Sequence, residues 1–110
     1  MGYNAANYVM KKIIMVALLS LASLFTFAIP SGCYSGTSRV NRDRCAIQIS
    51  GNVINVTNRE GNVIARWNIV SDTNGKLTLR SEYGATMTAS WWKEDGEVYL
   101  NFNSETFTRM

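Results

Sequence analysis

The acidic residues offer the first candidate for chemistry. Glu94, Asp95 and Glu97 lie together around Gly96. Paired carboxylates can act as acid and base in a glycosidase, or hold a calcium ion. Their spacing is that of a tight exposed turn and not that of a calcium-binding loop. We therefore expect a solvated turn and no metal site.

The composition removes the usual catalytic arrangements. The chain has no histidine, and histidine is the commonest general base and a common metal ligand. Serine and threonine are abundant, but no lysine is placed to activate one of them as a nucleophile. The sequence thus predicts no catalytic residues, no metal and no cofactor, and a protein that is not an enzyme.

An export signal is predicted over residues 1–29, of which residues 1–9 are read as a mis-assigned start. Lys11 and Lys12 precede an apolar run from Ile13 to Ile29, and small residues follow it. A cationic segment, an apolar stretch and small residues are the layout of a cleaved signal. The run is shorter than a comfortable membrane span of about 20 residues. We therefore predict an exported protein, located in the periplasm, on the outer surface or outside the cell.

Two processing sites compete, and each gives Cys33 a different role. A cut after Ala28 uses the small residues of Thr26-Phe27-Ala28 and leaves Cys33 free to form a disulfide with Cys45. The segment Ser31-Gly32-Cys33 instead resembles the end of a bacterial lipobox, in which the cysteine is lipidated. The sequence leaves both alternatives open, and the membrane is contacted only through the signal or this lipid.

The charge of the mature domain argues against nucleic acid. The chain has 11 Lys and Arg against 8 Asp and Glu. Lys11 and Lys12 leave with the signal, so that the remainder is nearly neutral. A near-neutral domain lacks the basic surface of a nucleic-acid-binding protein. Arg39, Arg42 and Arg44 form a local basic cluster, which we read as a solvated tether.

The positioning elements are β-strands. Apolar residues alternate with polar ones after Cys45, the period of half-buried strands, and Gly- or Asn-containing turns separate the segments. Six strands are predicted, near residues 45–50, 53–58, 63–70, 76–82, 86–92 and 97–103. Residues 30–44 are predicted to be a linker or lid, and residues 45–110 the β domain.

Turn lengths predict which residues face each other. The predicted registers pair Ile49 with Ile54, Ile54 with Trp67, Ile69 with Leu77, Leu77 with Trp91, and Trp91 with Val98. Every register places apolar residues opposite apolar ones on one face, so we expect that face to be buried. A flat single sheet cannot bury it. The fold class is therefore all-β, a six-stranded antiparallel meander curled into a small barrel or half-barrel.

The outward face holds the candidate binding residues. One predicted row places Arg66 opposite Arg80, an unfavourable like-charge pair in a sheet. Other rows place Lys76 beside Trp92, with Ser90 and Tyr99 nearby. Arginines, hydroxyls and an aromatic platform suit an anion, a carboxylate or a sugar. The alternative is an ordinary polar outer surface. The candidate ligand-binding residues are Arg66, Arg80, Lys76, Trp92, Tyr99 and Ser90.

Two segments are loosely similar to the small exported barrels that inhibit C-type lysozymes. They are Ser81-Glu82-Tyr83-Gly84 and Trp91-Trp92-Lys93-Glu94-Asp95-Gly96-Glu97-Val98-Tyr99. In this chain Glu94 and Asp95 separate the lysine from the glycine that follows it in those inhibitors. The similarity implies an alternative function, inhibition of a cell-wall hydrolase through the turns at Tyr83 and Lys93.

The sequence as a whole predicts a small exported or envelope-attached β domain that acts by binding. Its expected partner is an unknown protein or glycan of the envelope or exterior. A third alternative is a structural or assembly subunit whose apolar face or edge strands pair with another chain, as in a homodimer.

Overall fold

The computed structural model describes residues 28–110, and in this range the chain forms eight antiparallel β-strands. The strands are β1 (Gly32–Ser35), β2 (Ile47–Ser50), β3 (Val53–Thr57), β4 (Val63–Thr73), β5 (Lys76–Ser81), β6 (Thr86–Glu94), β7 (Glu97–Phe102) and β8 (Glu105–Arg109). The predicted export signal lies outside the described residues except for Ala28 and Ile29. Within residues 28–110 no helix is long and apolar enough to cross a membrane.

The strands form a closed up-and-down barrel. Each strand pairs with its neighbours in sequence, and β1 closes the barrel by pairing with β8 through Tyr34 opposite Arg109. The predicted all-β antiparallel meander is confirmed, and of the predicted alternatives, barrel or half-barrel, the structure is a closed barrel. Closure leaves fewer free strand edges than an open sheet would.

The structure has eight strands where the sequence analysis predicted six. The first additional strand, β1, lies in the segment predicted to be a linker or lid, and the second, β8, follows the last predicted strand. Each is four or five residues long. Each contributes one large inward side chain, Tyr34 or Phe107, and such short segments show little alternation.

The first two predicted registers are confirmed. Ile49 lies opposite Ile54, and Ile54 lies opposite Trp67. The β3–β4 pair contains a β-bulge, because Val56 pairs with Ala65 whereas Thr57 pairs with Val63. Ile64 is the extra residue of this bulge.

The last three predicted registers are wrong by two residues. Leu77 lies opposite Ala89 instead of Trp91, and Trp91 lies opposite Leu100 instead of Val98. The β4–β5 and β6–β7 turns are Asn74-Gly75 and Asp95-Gly96, with φ of 53° and 81° and of 51° and 81°. Positive φ at both central residues is typical of the two-residue turns that match strand twist.

The β4–β5 register contains a second bulge. Ile69 lies opposite Leu79, but Ser71 lies opposite Thr78, so Val70 is an extra residue. This changes the alternation along β4, and Asp72 comes to lie on the inward side opposite Leu77.

The predicted inward face is buried despite these shifts. A shift of two residues keeps each side chain on its own face. Every predicted inward residue is buried or partly buried: Ile47, Ile49, Ile54, Val56, Ala65, Trp67, Ile69, Leu77, Leu79, Met87, Ala89, Trp91, Val98, Leu100 and Phe102. Ile29, Tyr34, Ala46 and Phe107 complete the core. Side chains thus fill the barrel interior.

Candidate binding surface

The outer face of β5, β6 and β7 brings four of the six candidate residues together. Lys76 lies opposite Ser90, and Trp92 lies opposite Tyr99. Ser90 and Trp92 are two residues apart on β6, so all four side chains share one side of the sheet. We call Lys76, Ser90, Trp92 and Tyr99 the outer patch.

An aromatic pair forms the centre of the outer patch. The rings of Trp92 and Tyr99 are stacked with centroids 5.6 Å apart and an interplanar angle of 20°. Trp92 remains 38% exposed, although a packed cross-strand pair could bury more of it. With the Lys76 ammonium and the Ser90 hydroxyl nearby, the patch offers a flat apolar surface, a cation and a hydrogen-bonding group.

The two candidate arginines lie outside the outer patch and are not directly opposite each other. Arg66 lies opposite Asn55, and its Nε donates a 3.0 Å hydrogen bond to Asn55 Oδ1. Arg80 lies opposite Asn68 and Thr86. The predicted direct pairings of Arg66 with Arg80 and of Lys76 with Trp92 are therefore wrong, because the β4–β5 and β5–β6 registers differ from the predicted ones.

A groove lies beside Arg66 at one end of the barrel. Its volume is about 340 Å³, and it is lined by Ile64, Ala65, Arg66, Trp67, Ser81, Glu82, Tyr83 and Ala85. Ile64 is 63% exposed and Tyr83 is 90% exposed. This end of the structure thus displays apolar side chains that contribute little to the core.

An open strand edge borders this groove. The strand β5 ends at Ser81, which lies opposite Trp67. Residues 63–66 of β4 pair with β3 on one side but have no partner strand on the β5 side within the described barrel. Such an edge is a surface on which another chain can add a strand.

Tyr83 and Lys93 lie at opposite ends of the barrel. Lys93 is in β6 opposite Val98, and not in a turn as predicted. They are joined by β6, which has nine residues. At about 3.3 Å per residue, this strand is about 30 Å long. One small contact surface cannot contain both Tyr83 and Lys93, and an inhibitor of the predicted kind would use one of them.

The acidic group occupies an exposed turn. Glu94 lies opposite Glu97, and Asp95 is in the turn between them. All three residues are exposed. Among residues 28–110, no group of three or more His, Cys, Asp or Glu side chains is arranged to hold a metal ion.

A disulfide and an arginine fix the segment before β2. Cys33 and Cys45 form a disulfide bond across 12 residues, which is one of the two predicted alternatives for Cys33. Arg44 donates hydrogen bonds to the backbone oxygens of Thr57 and Asn58 at 2.9 and 2.8 Å. Arg44 is therefore a structural member of the predicted basic cluster, whereas Arg39 and Arg42 are exposed.

Glu105 holds the loop between β1 and β2, a role that sequence reasoning missed. Its carboxylate accepts hydrogen bonds from Thr37 N at 3.0 Å, Ser38 N at 3.1 Å and Asn41 Nδ2 at 3.1 Å. Partial burial by itself raises the pKa of Glu105. The hydrogen bonds from Ser38, Asn41 and Thr37 outweigh it, so the pKa lies below its usual value.

Tyr34 is a second polar group that the sequence did not indicate. It is fully buried, and its hydroxyl donates a 2.6 Å hydrogen bond to the Pro30 carbonyl oxygen. Burial raises its pKa to about 12, although the charge of Arg109 acts in the opposite direction. A buried neutral tyrosine of this kind supports the fold and offers no reactive phenolate.

Asp72 is the third missed residue. Its Oδ1 accepts a 2.9 Å hydrogen bond from Trp91 Nε1, and its Oδ2 accepts a 2.8 Å hydrogen bond from the backbone N of Ile29. Recognition of Asn74-Gly75 as a two-residue turn would have placed Asp72 in β4 and not in a loop.

Comparison with protein-family models, with curated proteins and with solved structures finds no match to this chain.

Proposed function

We propose that this protein is an exported or envelope-attached β domain that acts by binding, and that the outer patch is its binding site. The supporting observation is the arrangement of Lys76, Ser90, Trp92 and Tyr99 on one continuous part of the outer surface. A protein with a side-chain-filled barrel binds on its exterior. No catalytic role is assigned to any of these residues.

The chemistry of the outer patch favours a glycan that carries a carboxylate. Aromatic rings provide a platform for the apolar face of a sugar, and the Ser90 hydroxyl can exchange hydrogen bonds with sugar hydroxyls. The Lys76 ammonium provides charge-assisted hydrogen bonds to a carboxylate. Acidic glycans of the cell envelope combine these features.

The test is isothermal titration of the exported protein with an acidic oligosaccharide and with its neutral, carboxyl-reduced counterpart. We expect Trp92→Ala to weaken binding of both sugars by about tenfold or more, equivalent to about 1.4 kcal/mol. Lys76→Ala should weaken binding of the acidic sugar alone. Arg80→Ala, on the same sheet but outside the patch, is the matched control. Equal affinities for all four proteins would refute the assignment.

A second candidate function is assembly with another chain through the open edge of β4. It is supported by the unpaired side of residues 63–66 and by the exposed Ile64. Sedimentation velocity over a range of concentrations should then detect association. Ile64→Lys should abolish it, whereas Val70→Lys, at the other bulge and 57% exposed in the native protein, should leave it intact. Monomers at all concentrations would dismiss self-assembly.

The inhibitor alternative also remains a proposal, supported by the 90% exposure of Tyr83. Equimolar protein should abolish the activity of a C-type lysozyme, and Tyr83→Ala should restore that activity. Full lysozyme activity at micromolar excess of the wild-type protein would rule this function out.

A further inference from the structure

Ile29 is the first buried residue of the described chain. Ile29 is 5% exposed and belongs to the core, whereas the preceding Ala28 is exposed. The boundary between chain inside the barrel and chain outside it therefore falls at the Ala28–Ile29 peptide bond.

The nitrogen of Ile29 lies against a carboxylate. Asp72 Oδ2 is 2.8 Å from this nitrogen, and Asp72 Oδ1 accepts a hydrogen bond from the Trp91 indole nitrogen. Among the hydrogen bonds of residues 28–110, both donors to Asp72 are neutral. A cation adds a Coulombic attraction to a carboxylate that a neutral amide donor cannot supply.

Hydrolysis of the Ala28–Ile29 bond would create this cation at the same atom. A signal peptidase adds water across the bond: the hydroxyl oxygen joins the Ala28 carbonyl carbon, and the Ile29 nitrogen leaves with its electron pair. Redistribution of the protons gives an Ala28 carboxylate and an Ile29 α-ammonium. The small residues Thr26 and Ala28 occupy the positions that such a peptidase reads.

We propose that export processing cuts the chain between Ala28 and Ile29, and that the new α-ammonium of Ile29 forms an ion pair with Asp72. The processed N-terminus is thereby fixed at the end of the barrel that carries the β4–β5 turn. The ion pair replaces a neutral hydrogen bond that the unprocessed chain makes with the same carboxylate.

The contacts of residues 29–32 favour this cut over one before Cys33. A cut before Cys33 would remove Ile29 from the core and Pro30 from its hydrogen bond with the Tyr34 hydroxyl. It would also remove Ser31, whose Oγ accepts a 3.0 Å hydrogen bond from Gly51 N. A lipid on the Cys33 sulfur would prevent the disulfide with Cys45.

The experiment uses the full chain, exported with its own signal and purified after processing. N-terminal sequencing should give Ile29 as the first residue, and the intact mass should be lower by two hydrogen atoms because of the disulfide. An N-terminal Cys33 with several hundred daltons of added lipid, or a retained signal, would overturn the proposal.

The ion pair is tested by the rate at which cyanate modifies the α-amine. Cyanate reacts with the free amine, and each pKa unit of stabilisation of the ammonium lowers the free-amine fraction about tenfold. We expect the wild-type α-amine to react at least about tenfold more slowly than that of Asp72→Asn. Asp95→Asn, which alters an exposed turn, should react like the wild type.

Equal rates for the wild type and Asp72→Asn would overturn the ion pair. If Asp72→Asn is not exported, the wild-type rates with and without denaturant replace this comparison. A folded-state rate equal to the unfolded-state rate would then refute the proposal.

Discussion

Replacement of Glu105 by glutamine should destabilise the barrel at neutral pH but not at strongly acidic pH. In the native protein the carboxylate accepts hydrogen bonds from three donors in the loop before β2. Glutamine keeps one acceptor oxygen, which can still serve Thr37 and Ser38, but it presents an amide group to Asn41 and carries no charge.

The expected loss is about 2 kcal/mol of unfolding free energy at pH 7, taking the low end of the range for hydrogen bonds to charged groups because the site is partly exposed. This corresponds to a decrease of about 10 °C in Tm for a domain of this size. The pKa of Glu105 is lowered in the folded state. Its stabilisation is therefore complete above the unfolded value near 4.3 and is lost as the pH falls through the lower folded value.

The assay is urea denaturation at pH 7 and at pH 2, followed by tryptophan fluorescence, since Trp91 is buried in the native state. The wild type should exceed Glu105→Gln in stability at pH 7 and match it at pH 2. Glu97→Gln, at an exposed acidic residue, is the control and should resemble the wild type at both values. The reasoning is refuted if Glu105→Gln unfolds like the wild type at pH 7, or if its deficit is the same at both pH values.

Three further predictions concern the framework of the barrel. Tyr34→Phe should lower the unfolding free energy by about 1 kcal/mol through the lost hydrogen bond. The wild type should lose stability as the pH rises from the unfolded tyrosine pKa near 10 to the folded pKa of about 12. Alkaline denaturation should show that Tyr34→Phe does not have this loss. Replacement of Cys33 and Cys45 by serine should lower the unfolding free energy by about 3 kcal/mol on the loop-entropy estimate, and an unchanged midpoint in denaturant would contradict a native disulfide. Gly75→Ala should lower Tm more than Gly61→Ala. A Cβ at Gly75 would lie 2.5 Å from a backbone oxygen of β6, whereas a Cβ at Gly61 would have no atom within 4 Å. Both positions have positive φ, so equal losses would mean that backbone strain alone decides.

The sequence predicted the barrel because alternation is a robust signal. Apolar side chains such as Ile54, Leu79 and Leu100 recur at every second position of their strands, and a register error of two residues does not move them from the core. The strands β1 and β8 were missed because each has one large buried residue, which is too few to show a period.

The outer patch was predicted only in part, because the positions of its members depend on turn length. Trp92 and Tyr99 were assigned to the correct face, but their direct pairing required the two-residue Asp95-Gly96 turn. Arg80 likewise lies opposite Asn68, and not opposite Arg66 as predicted, because of the true register. The dipeptides Asn74-Gly75 and Asp95-Gly96 carried this information, since both are preferred sequences for two-residue hairpin turns.

The roles of Asp72 and Glu105 could not be predicted from local pattern. The donors to Asp72, Ile29 and Trp91, lie 43 and 19 residues away in sequence, and the donors to Glu105 lie 64 or more residues away. The folded barrel brings these groups together, and the bonds of Glu105 in β8 to the loop after β1 depend on its closure. An acidic residue in a short strand or near a turn otherwise resembles an ordinary surface residue.

The additional residue at Val70 has a consequence for how this barrel can change. In an uninterrupted β4, Ser71 would point into the core and Asp72 into water. The single extra residue thus gives the two side chains after it the opposite environments, and Asp72 lies on the inward side where it would otherwise face water. New polar sites inside small barrels can arise in this way by insertion, without any substitution of the residue that comes to occupy them.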